Sequence, residues 1–84
     1  MYLSVKSVTP LADYELLLAF ENGEERVFDV KPYLEMGKFS ELKDTSLFNS
    51  VFVSFDSIEW VNQLDLDPEF LYQKSETAPA HNIN

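Results

Sequence analysis

The 84-residue sequence predicts an α+β fold: a small, mainly antiparallel sheet with short helices. Three observations predict it. Asn22-Gly23 joins two β-forming runs within DYELLLAFENGEERVFDV, residues 13–30, and Asn-Gly between apolar runs is a strong hairpin signal. Short alternating segments lie before and after that stretch, at residues 3–8 and 51–55. Asp67-Pro68-Glu69 then has the composition of a helix start, with an N-cap acid, proline at the first helical position and an acid near the positive end of the helix dipole. The sheet reads as a three-strand N-terminal meander followed by short C-terminal strands.

Taken in order, Leu3, Val5 and Ser7 alternate against Ser4, Lys6 and Val8 in a first strand. Thr9-Pro10 interrupts it, because proline has no N–H to donate; the strand ends there or lies at an edge. Leu11-Ala12-Asp13 turns the chain into the hairpin. Two loops fit Asn22-Gly23. A two-residue turn sets Leu17 opposite Phe28 and scatters the large residues over both faces. A three-residue loop, with Gly23 left-handed in a G1 bulge, pairs Leu16 with Phe28 and Tyr14 with Val30. Tyr14, Leu16, Leu18, Phe20, Phe28 and Val30 then share one face, and Glu15, Leu17, Ala19, Glu25, Val27 and Asp29 the other. The side-chain period of a strand is two, so the choice of loop flips a whole strand. The bulged loop is preferred because it yields one apolar face.

Pro32-Tyr33-Leu34-Glu35-Met36 fits a single helical turn with Gly37 as its terminator. Phe39-Ser40-Glu41-Leu42 fits another short turn or bridge, with Phe39 and Leu42 both inward. Asp44 or Thr45 caps a short helix over Ser46-Leu47-Phe48-Asn49, whose Leu47 and Phe48 cover the sheet. Residues 51–55 and 58–61 are expected as fourth and fifth strands, with Asp56-Ser57 between them as a turn. Asn62-Gln63 is a bend, and Leu64-Asp65-Leu66 is short and extended. The helix opened by Asp67 runs to Lys74. One domain over residues 1–74 is expected, with SETAPAHNIN, residues 75–84, as a flexible tail.

Composition limits the function. Fifteen acidic residues against six basic ones set the net charge at −9. Direct DNA or RNA binding depends on neutralising phosphates, so it is disfavoured, as is an anionic membrane surface. A basic protein partner suits the charge, although net charge speaks first to solubility. No apolar run reaches the roughly 20 residues of a membrane span, and residues 1–3 do not open a signal peptide. With no cysteine there is neither a disulfide framework nor a thiolate metal site, and a cytoplasmic location is the default.

No chemistry-bearing motif stands out. Asp65, Asp67 and Glu69 form the nearest thing to an acidic cluster, but the calcium-loop pattern with its central glycine is absent, and helix capping accounts for two of the three. His81, the single histidine, sits in the expected tail, away from any fixed acid or nucleophile. None of the serines lies in a nucleophile elbow. No catalytic residue, metal ligand or cofactor site is assigned. Trp60 is expected in the core, with an exposed interface anchor as the other reading. Tyr33 and Tyr72 invite the same comparison. Arg26 is expected to pair with Glu24 or Asp29 or to cover apolar surface with its stem. Trp60, Asp65, Tyr72 and Asp29 are the candidate interaction surface.

These residues resemble a known family. Phe20-x-Asn22-Gly23-Glu24, Val27-x-Asp29-Val30 and Leu42-x-Asp44-x-x-x-Phe48 are similar to the bacterial domain of unknown function 2442. The most specific part is Ile58-x-Trp60-x-Asn62-x-x-Asp65-Leu66-x-Pro68-Glu69-x-Leu71-Tyr72. Members often carry Pro-Asn-Gly after the tryptophan; Val61-Asn62-Gln63 here moves the left-handed position to Asn62 or Gln63. The resemblance implies a compact α+β domain and no established activity. Some relatives add a helix-turn-helix domain, for which this chain has no room. Members are often encoded beside another small protein, which suggests toxin–antitoxin-like pairs. Fold alone does not license function. The expected function is a small acidic protein-binding or regulatory module, antitoxin-like in its sharpest form. The alternative is a small-ligand or enzymatic domain using carboxylates such as Asp29 and Asp65. A homodimer through an exposed sheet edge is compatible with either.

Overall fold

Residues 3–78 are described by a computed structural model. The hairpin organises it. β2 (Glu15–Phe20) and β3 (Glu25–Asp29) are antiparallel, with Leu16 opposite Phe28 and Leu17 opposite Val27. This is the register of the three-residue loop. The Gly23 N–H donates to the Phe20 carbonyl (3.0 Å), and the Phe20 N–H donates to that of Glu24 (2.9 Å). Gly23 has φ +89°, a conformation that costs little without a Cβ. Leu16, Leu18, Phe20, Phe28 and Val30 are all buried on the expected face. Tyr14, only partly buried, packs against that core from a left-handed turn rather than a strand.

β1 (Val5–Leu11) pairs with β2 and forms one edge of the sheet. The strand therefore runs three residues beyond its expected end, through Thr9-Pro10, with Pro10 opposite Leu16. An edge strand has one side without ladder bonds, so proline's missing donor is tolerated there. The other edge holds β7 (Glu76–Thr77), paired with Arg26 and Val27 of β3. The Ala78 N–H donates to the Glu25 carbonyl (2.9 Å). The expected tail thus begins too early at residue 75: Ser75 is buried, and residues 76–77 complete a four-stranded sheet. His81 lies outside the described residues.

Between the sheets the chain makes two 3-10 segments, Lys31–Tyr33 and Gly37–Lys43. Gly37, expected as a terminator, instead opens the second of these. The helix α1 (Thr45–Phe48) is capped by Asp44, whose carboxylate accepts the Ser46 N–H at 3.0 Å. The second sheet is a meander of β4 (Phe52–Ser54), β5 (Ser57–Glu59) and β6 (Asp65–Leu66). Its strands are shorter than expected, and its first turn is Phe55-Asp56 rather than Asp56-Ser57, since Ser54 pairs with Ser57. At the next bend Gln63 takes the left-handed position (φ 72°), while Asn62 Oδ1 accepts the Leu64 N–H at 3.1 Å. α2 (Pro68–Lys74) starts as its composition dictates, with the Asp67 carboxylate accepting the Glu69 N–H at 2.9 Å.

The core lies between the two sheets and the helices. Leu42, Phe48, Ile58, Trp60 and Leu71 close over the apolar face of the hairpin. Each large side chain buried in this way contributes about 1.5–3 kcal/mol. Tyr33 stacks on Phe28 with ring centroids 5.7 Å apart, and Phe70 meets both rings edge-on. The architecture is a small α+β fold of four- and three-stranded antiparallel sheets with short helices.

Candidate functional site

Strand alternation divides the second sheet into two faces. Ile58 and Trp60 point into the core and are fully buried. Residues directly opposite each other in an antiparallel pair share a face. Phe52 opposes Glu59, and Glu59 opposes Asp65. These three side chains form one row across the outer face, with Ser54 and Ser57 beside them nearer the turn. Phe52 is 42% exposed, and Phe55 at the hairpin tip is 98% exposed with φ 58°. Positive φ is costly for a bulky side chain, and an exposed ring recovers nothing by packing. Two-residue hairpins usually place glycine, asparagine or aspartate at such positions.

A hollow of about 420 Å³ adjoins the tip, lined in part by Phe55, Glu59, Asp65, Asp67 and Pro68. Among the described residues the ion pairs join Arg26 to Glu24, Lys31 to Glu15 and Asp29, and Lys43 to Glu35. None of them reaches Glu59, Asp65 or Asp67. Like charges directly across a strand pair repel, so the Glu59–Asp65 pairing leaves negative potential on this face, with no ion pair among the described residues to offset it. Among the described residues no group of three or more acids or histidines is placed to hold a metal ion.

The four residues nominated from the sequence are not brought together. Trp60 belongs to the core and is removed from the candidate surface: it is fully buried, and its Nε1–H donates to the Phe48 carbonyl at 3.0 Å. The second sheet turns that strand position inward, and the α1 carbonyl supplies the partner a buried indole needs. Asp65 lies on the outer face just described. Asp29 is in the other sheet, lining a separate hollow with Lys74 and Glu76. It pairs with Lys31 Nζ at 3.2 Å and accepts the Lys31 N–H at 2.9 Å. That side-chain bond to Asp29 leads the effects that raise the Lys31 pKa. A site using Asp29 and Asp65 jointly is therefore not assembled.

Tyr72 serves a clasp at the hairpin loop. Its hydroxyl donates to Glu24 Oε2 at 2.9 Å, and the Arg26 guanidinium lies 4.3 Å from its ring centroid. Arg26 pairs with Glu24 Oε1 at 3.1 Å, as one of the sequence expectations had it, and also donates to the Ser75 carbonyl at 2.7 Å. The Tyr72 hydrogen bond holds the Glu24 carboxyl below its ordinary range; burial, the next effect, opposes it, and Arg26 and then Asn22 add to the lowering. The same bond raises the Tyr72 pKa. Phe55 is the residue that sequence reasoning missed. The alternation of residues 51–55 makes it one more strand residue, whereas the structure places it in the turn beside Asp56.

These features define a small α+β domain with an acidic, aromatic-tipped outer sheet face. The chain belongs to the family described as a protein of unknown function, DUF2442, whose sequence model matches residues 5–77. Comparisons with curated proteins and with solved structures give no match.

Proposed function

We propose that the chain is a small regulatory module that works by binding a basic protein, an antitoxin-like pairing being the sharpest form of that role. The observation that carries this reading is the outer face of the second sheet. Phe55 stands almost wholly in solvent beside Glu59 and Asp65, which enter no ion pair among the described residues. Aromatic side chains, phenylalanine among them, are enriched at protein–protein interfaces, and an acidic field speeds encounter with a positive partner and selects for it. The net charge of −9 extends that field over the molecule. A cytoplasmic setting fits the cysteine-free composition. Among the described residues no helix is long and apolar enough to cross a membrane.

The test is affinity capture from the native host with the wild-type chain and a Glu59→Gln/Asp65→Asn variant. The expected outcome is one stoichiometric partner of high isoelectric point, held by the wild type and lost from the variant. Capture that is indifferent to both substitutions, or of acidic proteins, overturns electrostatic recognition through this face.

A further inference from the structure

We infer that the β4–β5 hairpin is the docking element, and that its occupant is a basic, apolar-interspersed segment of another protein laid across the Phe52–Glu59–Asp65 row with Phe55 as its anchor. The inference rests on the protein-binding reading above and names the surface and the partner chemistry.

Phe52 on the outer face and Phe55 at the tip place two exposed rings on five consecutive residues, 51–55, that carry no charge. Exposed apolar surface rimmed by polar residues, here Glu59, Asp65 and the serines, is a mark of interaction sites. Antiparallel sheets commonly solvate one face, and that face is then polar; Glu59, Asp65 and the serines conform, whereas Phe52 and Phe55 do not. Phe55 adds no buried area to the fold and holds a backbone conformation that glycine would adopt at lower cost. Strain of that kind, unrewarded within the chain, is consistent with a ring presented outward.

Charge decides between occupants. A second copy would bring Glu59 and Asp65 of one chain toward the same acids of the other, each chain carrying −9 overall. Like-charge juxtaposition of that kind suppresses association. A segment with lysine or arginine interspersed among apolar residues reverses the sign: its cations lie toward Glu59, Asp65 and Asp67, and its apolar side chains cover Phe52 and Phe55. Arginine suits the site best, because its planar guanidinium stacks on aromatic rings and pairs with carboxylates.

The experiment is selection from a random dodecapeptide display library on the wild-type chain. Enriched peptides are then synthesised and titrated against wild type, Phe55→Gly and, as an acid-surface control on the other sheet, Glu25→Gln/Glu76→Gln. Phe55→Gly keeps the fold, since the ring is exposed and the backbone is relieved. The expected result is a consensus mixing arginine or lysine with apolar residues, at least about tenfold weaker binding to Phe55→Gly, and unchanged binding to the control. Amide chemical-shift changes from the peptide should centre on residues 52–59. A basic consensus that is indifferent to Phe55→Gly and sensitive to the control sinks the hairpin as docking element while leaving the acidic-module reading standing. A neutral or acidic consensus, or no enrichment, overturns both. Concentration-dependent dimerisation of the wild type lost in Phe55→Gly, measured by sedimentation, replaces the basic segment with a second copy.

Discussion

Trp60 and Phe55 lie five residues apart and have opposite fates. Trp60 is fully buried and its indole N–H is spent on the Phe48 carbonyl. Phe55 is almost fully exposed on a strained turn. Aromatic character alone does not separate them; strand parity and the position of the turn do. Trp60→Phe keeps most of the ring volume but leaves the Phe48 carbonyl without its donor. An orphaned buried acceptor costs about 1–3 kcal/mol, and the smaller ring adds a cavity contribution. Urea unfolding followed by circular dichroism should therefore show a loss of about 2–4 kcal/mol. A change under 0.5 kcal/mol, the order expected of an ordinary surface substitution, would contradict the burial described here. Gln63 shows a third outcome. The bend after Trp60 needs a left-handed residue, and this chain uses glutamine at φ 72°, with Asn62 accepting the Leu64 N–H to hold the turn.

The clasp at the hairpin loop joins elements distant in sequence. Glu24 and Arg26 come from the loop and β3, Tyr72 from α2, and Ser75 leads into β7. Its pH dependence has a definite sign. Glu24 titrates lower in the folded chain than its ordinary 4.5, first because of the Tyr72 hydroxyl. The folded state therefore gains stability above the unfolded value and loses it as the pH falls through the lowered folded value. Tyr72 titrates above its ordinary 10.0, first because of Glu24. Its contribution is full below that value and is lost as the pH rises through the raised one. Tyr72→Phe removes the phenol's own linkage and the largest contribution to that of Glu24, leaving those of Arg26 and Asn22. Urea midpoints measured from neutral pH down to pH 3 should fall less steeply for this variant than for wild type. Parallel profiles would show that the bond does not favour the charged Glu24.

The whole molecule carries fifteen acids within a radius of gyration of 12.5 Å. At about 0.01 M salt the Debye length is roughly 30 Å, so these charges repel one another across the entire domain. Self-repulsion of this kind destabilises a compact state. Added sodium chloride, from about 0.01 to 0.5 M, should raise the thermal midpoint because it shortens the screening length below the size of the domain. A falling midpoint would mean that the few ion pairs outweigh the surplus acid. The same repulsion opposes self-association and favours a positive partner, which links the stability of the domain to its proposed function.

Local chemistry was enough to determine the left-handed Gly23 and the Asp67 cap; it favoured, over a second loop that also fitted, the bulged register with the inward set Leu16, Leu18, Phe20, Phe28 and Val30, and it offered Asp44 or Thr45 as the α1 cap, of which the structure takes Asp44. Each follows from side-chain period, turn geometry or an orphan N–H within a few residues of its partner. Tertiary structure decided the rest. β1 continues through Pro10 because the fold leaves that strand at an edge. Residues 76–77 become a strand because β3 offers an unpaired edge and Arg26 holds Ser75 against it, partners some fifty positions apart in the chain. Phe55 projects outward because the hairpin turns one residue earlier than the Asp56-Ser57 signal indicates. The candidate surface shares that origin: Phe52, Glu59 and Asp65 become neighbours through strand pairing, a long-range choice that no local pattern encodes.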